Sequence, residues 1–418
     1  MSTVRRIVLT LTAVGATAAL GCQVAGGVLG SDEKLIQRAQ RLLREVPLID
    51  GHNDTPWQYR KRVNLKLADL DFASDLAAIQ PPMQTDLPRL RAGGVGAQFW
   101  SVYIPIRQRG GSPGDARAVI EQIDFVKRLV ARYPDDLELA YNADDIERIH
   151  RSGRIASLIG MEGGHSIENS LAVLRATYEL GARYMTLTHS KNTRWADSAT
   201  DEPEYGGLTA FGEEVVREMN RLGMMVDLSH VSPETMHDAL DVSRAPVIFS
   251  HSSAHALCRH VRNVPDDVLV RLAENGGVVM ITFLGFYVSE ELRLWAQRRS
   301  EEQDRLRRRH EDDDKEVEEG LASWGQTNPM PRATLEQVAD HIDHVHAVVG
   351  IDHIGIGSDF DGTSSLPVGL EDVSTYPNLI IELLRRGYTE NDIRKILGRN
   401  LLRVMRAVER EAGEISDE

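Results

Sequence analysis

A chain of 418 residues exceeds one ordinary domain, yet it lies within the range of an α/β barrel with insertions. Apolar residues make up 42% and charged residues 27%, so a large core can be buried. A formal net charge of −15 argues against a nucleic-acid partner, which needs a clustered positive surface.

Residues 1–21 read as an export signal. Arg5 and Arg6 form a positive start, and Ile7 to Leu20 form an uncharged apolar run too short to span a bilayer comfortably. Cys22 comes next in Ala18-Ala19-Leu20-Gly21-Cys22, which resembles a bacterial lipobox with Ala19 where leucine is usual. Such a cysteine becomes lipidated and forms the mature N-terminus. The expectation is an exported lipoprotein of the cell membrane or outer membrane, on the periplasmic or extracellular face. A cleaved signal with an incidental cysteine is the alternative. Residues 22–31, rich in glycine, would be a tether, and residues 32–418 the folded domain. Cys258 is then left without a disulfide partner and reads as a buried small hydrophobe.

Eight short apolar runs lie along the domain: Pro47–Asp50, Val95–Tyr103, Ile155–Met161, Arg183–Thr188, Met224–Ser229, Pro246–Ser250, Gly277–Phe283 and His353–Gly357. Most are continuous rather than alternating, as in parallel strands covered on both faces. Amphipathic stretches lie between them, for example Leu208, Phe211, Val215, Met219 and Leu222 at helical spacing. Ser232-Pro233 and Thr334-x-x-Gln337 mark helix starts, and Gly223 and Gly350 mark helix ends. Eight strands alternating with helices predict a closed (β/α)8 barrel, a TIM-type fold. Ser289 to Glu319 is dense in charge and reads as a solvated helical excursion after the seventh strand. Thr389 to Ala412 reads as a last helix packed along the barrel.

Metal-competent residues fall at the ends of these strands. His52 and Asp54 come after the first, Glu162 the third, His189 the fourth, His230 the fifth, His251 the sixth and Asp359 the eighth. In a barrel all of them face the C-terminal mouth, where active sites of this fold sit. A lone histidine at a strand end is most often a hydrogen-bonded structural residue, but six of eight strands ending this way is not accidental. Four histidines and three carboxylates exceed the needs of one metal and suit two divalent ions sharing a carboxylate. His165 and His255 lie beside the motifs and could at most support the ligands. His150, His237, His310, His341, His344 and His346 lie in helical stretches as surface or packing residues.

These strings resemble the membrane dipeptidase family, the renal dipeptidase group of metallopeptidases, from about Val46 to Glu409. The segments Thr186–Asp197, His251–Arg262, Val264–Asp267, Gly357–Gly362 and Gly369–Val373 carry the resemblance. It implies two zinc ions, with His52 and Asp54 on the first, Glu162 bridging, and His230 and His251 completing the second. It further implies a substrate-binding role for His189, a substrate-carboxylate role for Arg262 and an acid–base role for Asp359. Dipeptide substrates with a tolerated D-residue at the C-terminal position, and frequent homodimers, are further family expectations. The cysteines of mammalian members are largely absent, Lys191 standing at one of their positions, so their disulfides do not carry over.

The residues support that chemistry. Two zinc ions would give a bridging hydroxide near neutrality, Asp359 would move its proton, His189 would donate to the oxyanion, and Arg262 would offer a planar fork to a carboxylate. Other binuclear amidohydrolases, such as an N-acyl amino-acid deacylase or a β-lactam or lactone hydrolase, commonly bridge their metals through a modified lysine on strand four. No lysine lies in Arg183 to His189. A peptide-binding lipoprotein without catalysis would need neither two metals nor an acid–base residue.

Overall fold

The computed structural model describes the backbone of residues 18–310 and 313–417, and the side chains of residues 32–310 and 313–415. Residues 1–17 of the expected signal and the side chain of Cys22 lie outside the described residues. A helix, Ala18–Glu45, runs through residues 22–31, where the sequence reads as a tether, and leads into the first strand. No helix among the described residues is long and apolar enough to cross a membrane.

Among the described residues nine strands occur in chain order: β1 (Leu48–Asn53), β2 (Val95–Ser101), β3 (Leu137–Leu139), β4 (Ile155–Glu162), β5 (Ala182–Thr186), β6 (Met225–Asp227), β7 (Ile248–Ser252), β8 (Val278–Ile281) and β9 (Ile354–Ile356). All pairings are parallel, and β2 bonds to both β1 and β4. That closes β1, β2 and β4 to β9 into the expected eight-stranded barrel. The ninth strand, β3, pairs outside the ring with Ile155–Ser157 of β4. Its three residues come after Pro134-Asp135-Asp136 and are too few to show a period.

The ring strands are buried throughout, Arg183 alone being half-buried, which explains their unbroken apolar runs. Helices cover the outside and obey the start and stop signals of the sequence. Ser232 accepts a bond from Thr235 N ahead of Pro233–Val242, and Thr334 and Gln337 form a reciprocal capping box on Leu335–Val349. Gly223 closes Ala210–Leu222 in the left-handed region, at φ 79°.

The C-terminal stretch is helical from Glu390 to Asp417, with a wider turn at Lys395–Arg399. Gly398 sits in that turn, where a Cβ would lie 2.4 Å from the Pro47 carbonyl oxygen. Beyond it, Leu401, Val404 and Val408 share a core cluster with Ile49, Phe99 and Leu158 of the barrel. The charged excursion forms two helices, Glu290–Arg309 and Asp314–Thr327. Their contact carries a small apolar seam, with buried Leu306 and Val317 and with Trp295 and Trp324 ring centroids 5.7 Å apart.

Candidate metal centre

The barrel brings all the predicted ligands to one mouth. His52 is the next-to-last residue of β1, Glu162 ends β4 and His251 lies in β7, while His189, His230 and Asp359 each lie three residues beyond β5, β6 and β9. Glu162 is the hub. Its Oε1 lies 3.0 Å from His230 Nε2, 3.5 Å from His251 Nε2 and 3.6 Å from His189 Nε2, and its Oε2 lies 3.6 Å from His52 Nε2. His52 Nε2 is also 3.6 Å from Asp54 Oδ2. Three overlapping groups have ligand atoms within 4.8 Å of one another: His52, Glu162 and His251; Glu162, His189 and His230; His52, Asp54 and Asp359.

Local backbone makes this convergence possible. His230 and Asp359 take left-handed conformations, φ 69° and 65°, which side-chain-bearing residues adopt only when the surroundings impose them. The His230 carbonyl is held by Ala199 N and Thr188 Oγ1, and Asp359 N donates to the His52 carbonyl. Gly362 leaves room for two carboxylates, because a Cβ there would lie 2.3 Å from both Asp54 Oδ2 and Asp359 Oδ1.

Electrostatics suit cations. His52 Nε2 and Asp54 Oδ1 are buried without a hydrogen-bond partner, an arrangement that costs free energy unless something positive is coordinated there. Burial pushes His230 and His251 well below the ordinary imidazole range, aided by the Arg262 charge at His230 and by His52 at His251. Neutral imidazoles are the form that binds metal. Burial raises the Glu162 carboxyl, but His52 and His189 outweigh it and hold it well below the ordinary range. Asp359 goes the other way: burial, then the nearby Asp54 and Glu162 charges, raise it well above that range against His52 and Arg262.

Above the histidines opens a cavity of about 350 Å³, lined among others by Trp57, Tyr103, His189, Arg262, Tyr287 and Asp359. Arg262 is almost wholly buried, packs over the Tyr287 ring at 5.3 Å and has an unpartnered Nε. Its Nη1 and Nη2 make long bonds, 3.3 Å to Ser252 Oγ and 3.4 Å to the His251 carbonyl, and the guanidinium also bonds to the Tyr287 hydroxyl. The expected supporting residue His165 is buried, with its Nε2 3.2 Å from the Ile104 carbonyl, and burial lowers its pKa to about 4. His341 is a packing residue, bridging Ala254 N and the Val288 carbonyl. Cys258 is buried and free, as expected.

Sequence reasoning missed the aromatic wall and the carboxylates beneath the ligands. Asp50 accepts from Ser358 N, Ser358 Oγ and Tyr376 Oη, tying β1 to the segment that follows β9 and to the helix Tyr376–Arg385. Asp227 accepts from Ser250 N and Ser250 Oγ, tying β6 to β7. Asp197 gathers N–H groups of Tyr205, Gly206 and Gly207, shaping the loop that places Thr200 on the cavity. An aspartate two or three residues before a strand-end histidine, inside an apolar run, was the available signal.

Residues 36–417 match the family model described as membrane dipeptidase (Peptidase family M19). Dipeptidase 3 of Rattus norvegicus is 44% identical over 384 residues, covering 91% of this chain and 68% of the rat protein, and Dipeptidase 3 of Mus musculus matches over the same extent. Among solved structures, PvdM of Pseudomonas aeruginosa has the same fold, with a TM-score of 0.77 at 24% identity over 91% of this chain and 99% of that one. A Rhodobacter sphaeroides metallopeptidase liganded with a phosphinate mimic of L-Ala-D-Ala aligns with a TM-score of 0.68 at 23% identity, over 87% of this chain and 99% of that one.

Proposed function

The chain belongs to the membrane dipeptidase family, Peptidase family M19, and from that premise we propose that it works with two zinc ions bridged by Glu162 on an exported, lipid-anchored protein. It is a metallo-dipeptidase, a hydrolase of peptide bonds. The observation that carries the two-ion reading is Glu162, whose two oxygens face different histidines at 3.0–3.6 Å. His52 and Asp54 would hold one ion, and His230 and His251 the other.

Bound zinc supplies Lewis acidity and lowers the pKa of a water toward neutrality. The remaining work falls to the chain. Asp359, facing Asp54 across Gly362, accepts the proton of the attacking water and returns it to the leaving amine. His189, at the cavity wall, donates a hydrogen bond to the developing oxyanion. Arg262 pairs its planar fork with the terminal carboxylate of the substrate. An anchor this close to the reacting centre, in a cavity of about 350 Å³, selects dipeptides over long chains. Tolerance of a D-residue at the C-terminal position is supported by the L-Ala-D-Ala mimic held by the Rhodobacter sphaeroides protein.

Metal analysis and a screen of L,L- and L,D-dipeptides test this reading. Two zinc equivalents and turnover in both series are expected. A folded, active protein holding one equivalent or none overturns the two-ion reading, and cleavage of L,L-dipeptides alone overturns the D-tolerance.

A further inference from the structure

Two of the four histidines at the mouth are pinned through the ring nitrogen that faces away from Glu162. His52 Nδ1 lies 3.0 Å from Tyr184 Oη, and His251 Nδ1 lies 2.8 Å from Ser250 Oγ. His189 Nδ1 and His230 Nδ1 have no such partner. Each hydroxyl carries one proton, so where that proton goes decides the tautomer of the imidazole beside it.

Tyr184 Oη lies 3.0 Å from the Gly51 carbonyl oxygen, which can only accept. The tyrosine proton therefore points to Gly51, because the alternative leaves two oxygen lone pairs facing each other at that distance. Its oxygen then accepts Nδ1–H of His52. The barrel reserves space for this reach: Gly160 passes beneath the tyrosine, and a Cβ there would lie 2.0 Å from Tyr184 Cζ.

Ser250 Oγ donates to Asp227 Oδ2 at 2.6 Å, its other acceptor, Ser229 Oγ, being 3.5 Å away. It must then accept Nδ1–H of His251. Asp227 is itself oriented, because its Oδ1 takes the N–H groups of Ser229 and Ser250 at 3.1 and 2.8 Å.

We propose that Tyr184 and the Ser250–Asp227 pair are positioning residues that lock His52 and His251 as Nδ1–H tautomers, presenting both Nε2 lone pairs to the cations. The inference rests on the metal assignment above. Fixing the distal nitrogen of a ligating histidine is worth about 10–100-fold in metal affinity.

Asp227→Asn is the sharpest test because it reverses the relay without changing shape. Its oxygen must stay at the two backbone N–H groups, so its NH2 faces Ser250 Oγ and Thr186 Oγ1, which lies 2.5 Å from Asp227 Oδ2. The serine proton then turns to His251 Nδ1 and forces the Nε2–H tautomer, which cannot ligate. The measurements are zinc affinity of the full chain by chelator competition and histidine tautomers by 15N NMR of the metal-free chain at alkaline pH, where both imidazoles are neutral. Asp227→Asn should weaken zinc about 10–100-fold and switch one histidine to Nε2–H, while Tyr184→Phe and Ser250→Ala, which tolerate loss of one hydroxyl, should weaken zinc and unlock one histidine each. Unchanged affinity and tautomers in all three folded variants would overturn the proposal. A parent that binds no zinc while its His52 and His251 are locked refutes the metal assignment and leaves the relay standing, so the two failures are distinguishable.

Discussion

His189 and His230 stack face to face, ring centroids 4.3 Å apart and planes inclined by 28°, and both aim Nε2 at Glu162 Oε1. Their surroundings differ. The His189 ring also meets the Tyr103 ring on the cavity wall, centroids 4.8 Å apart, while His230 Nε2 lies 3.0 Å from His251 Nε2. The two rings thus belong to one candidate metal group but sit in different surroundings, and under the proposed function His230 is the ligand and His189 the oxyanion donor.

His189→Ala should accordingly retain two equivalents of zinc and lose about 10²–10³-fold in kcat, the usual cost of one oxyanion donor. Metal analysis beside steady-state kinetics decides the point. A loss of one zinc equivalent would make His189 a ligand and not a donor.

Asp359 and Arg262 should fail differently. Asp359→Asn keeps its shape but cannot exchange a proton, so kcat should fall about 10²-fold or more with KM little changed. Arg262→Ala should raise KM and erase the preference for a dipeptide over its C-terminal amide, since only the free carboxylate pairs with the fork. Kinetics on both substrates would show it; an intact amide preference would remove Arg262 from substrate binding.

The barrel and its mouth were legible because parallel strands write themselves as apolar runs and set the residues just past their C-terminal ends on one face. Glu162, His230 and Asp359 stood out for that reason. β3 was illegible because three residues carry no period. Tyr184, Asp227 and Asp50 were missed because they lie inside strands, where tyrosine passes for a core residue and a buried carboxylate shows its role only through partners such as Ser250 and Ser358. The aromatic wall comes from Trp57, Tyr103 and Tyr287, distant in sequence and joined only by the closed ring.

Cys22→Ser should move the protein from the membrane to the soluble fraction, if the signal ending at Gly21 is processed as a lipoprotein signal. Fractionation with and without the substitution measures this. Persistence at the membrane, or a parent that is never there, would end the anchor proposal.

Acid should loosen the hold of the charged helix on the loop that carries Arg262. Glu290 accepts from Arg293 Nη2 at 2.6 Å and Arg293 Nε at 2.7 Å, and from Arg259 N at 2.9 Å, joining the loop that carries Arg262 to that helix. The Arg293 bonds, helped by the Arg259 N–H and opposed by burial, hold its carboxyl at about 2 against the ordinary 4.5. Between these values the unfolded chain binds more protons, so the contribution is complete above about 4.5 and disappears as pH falls toward about 2. The Glu290 side chain is 32% exposed, and solvent screening keeps the effect below about 1 kcal/mol. Glu290→Gln should thus be slightly less stable than the parent at neutral pH and equal to it near pH 2, because a protonated glutamate and a glutamine are then both neutral. Denaturant midpoints across that range read the difference directly. A gap that stays constant with pH would assign the loss to packing, and the Arg293 pair would have no part in it.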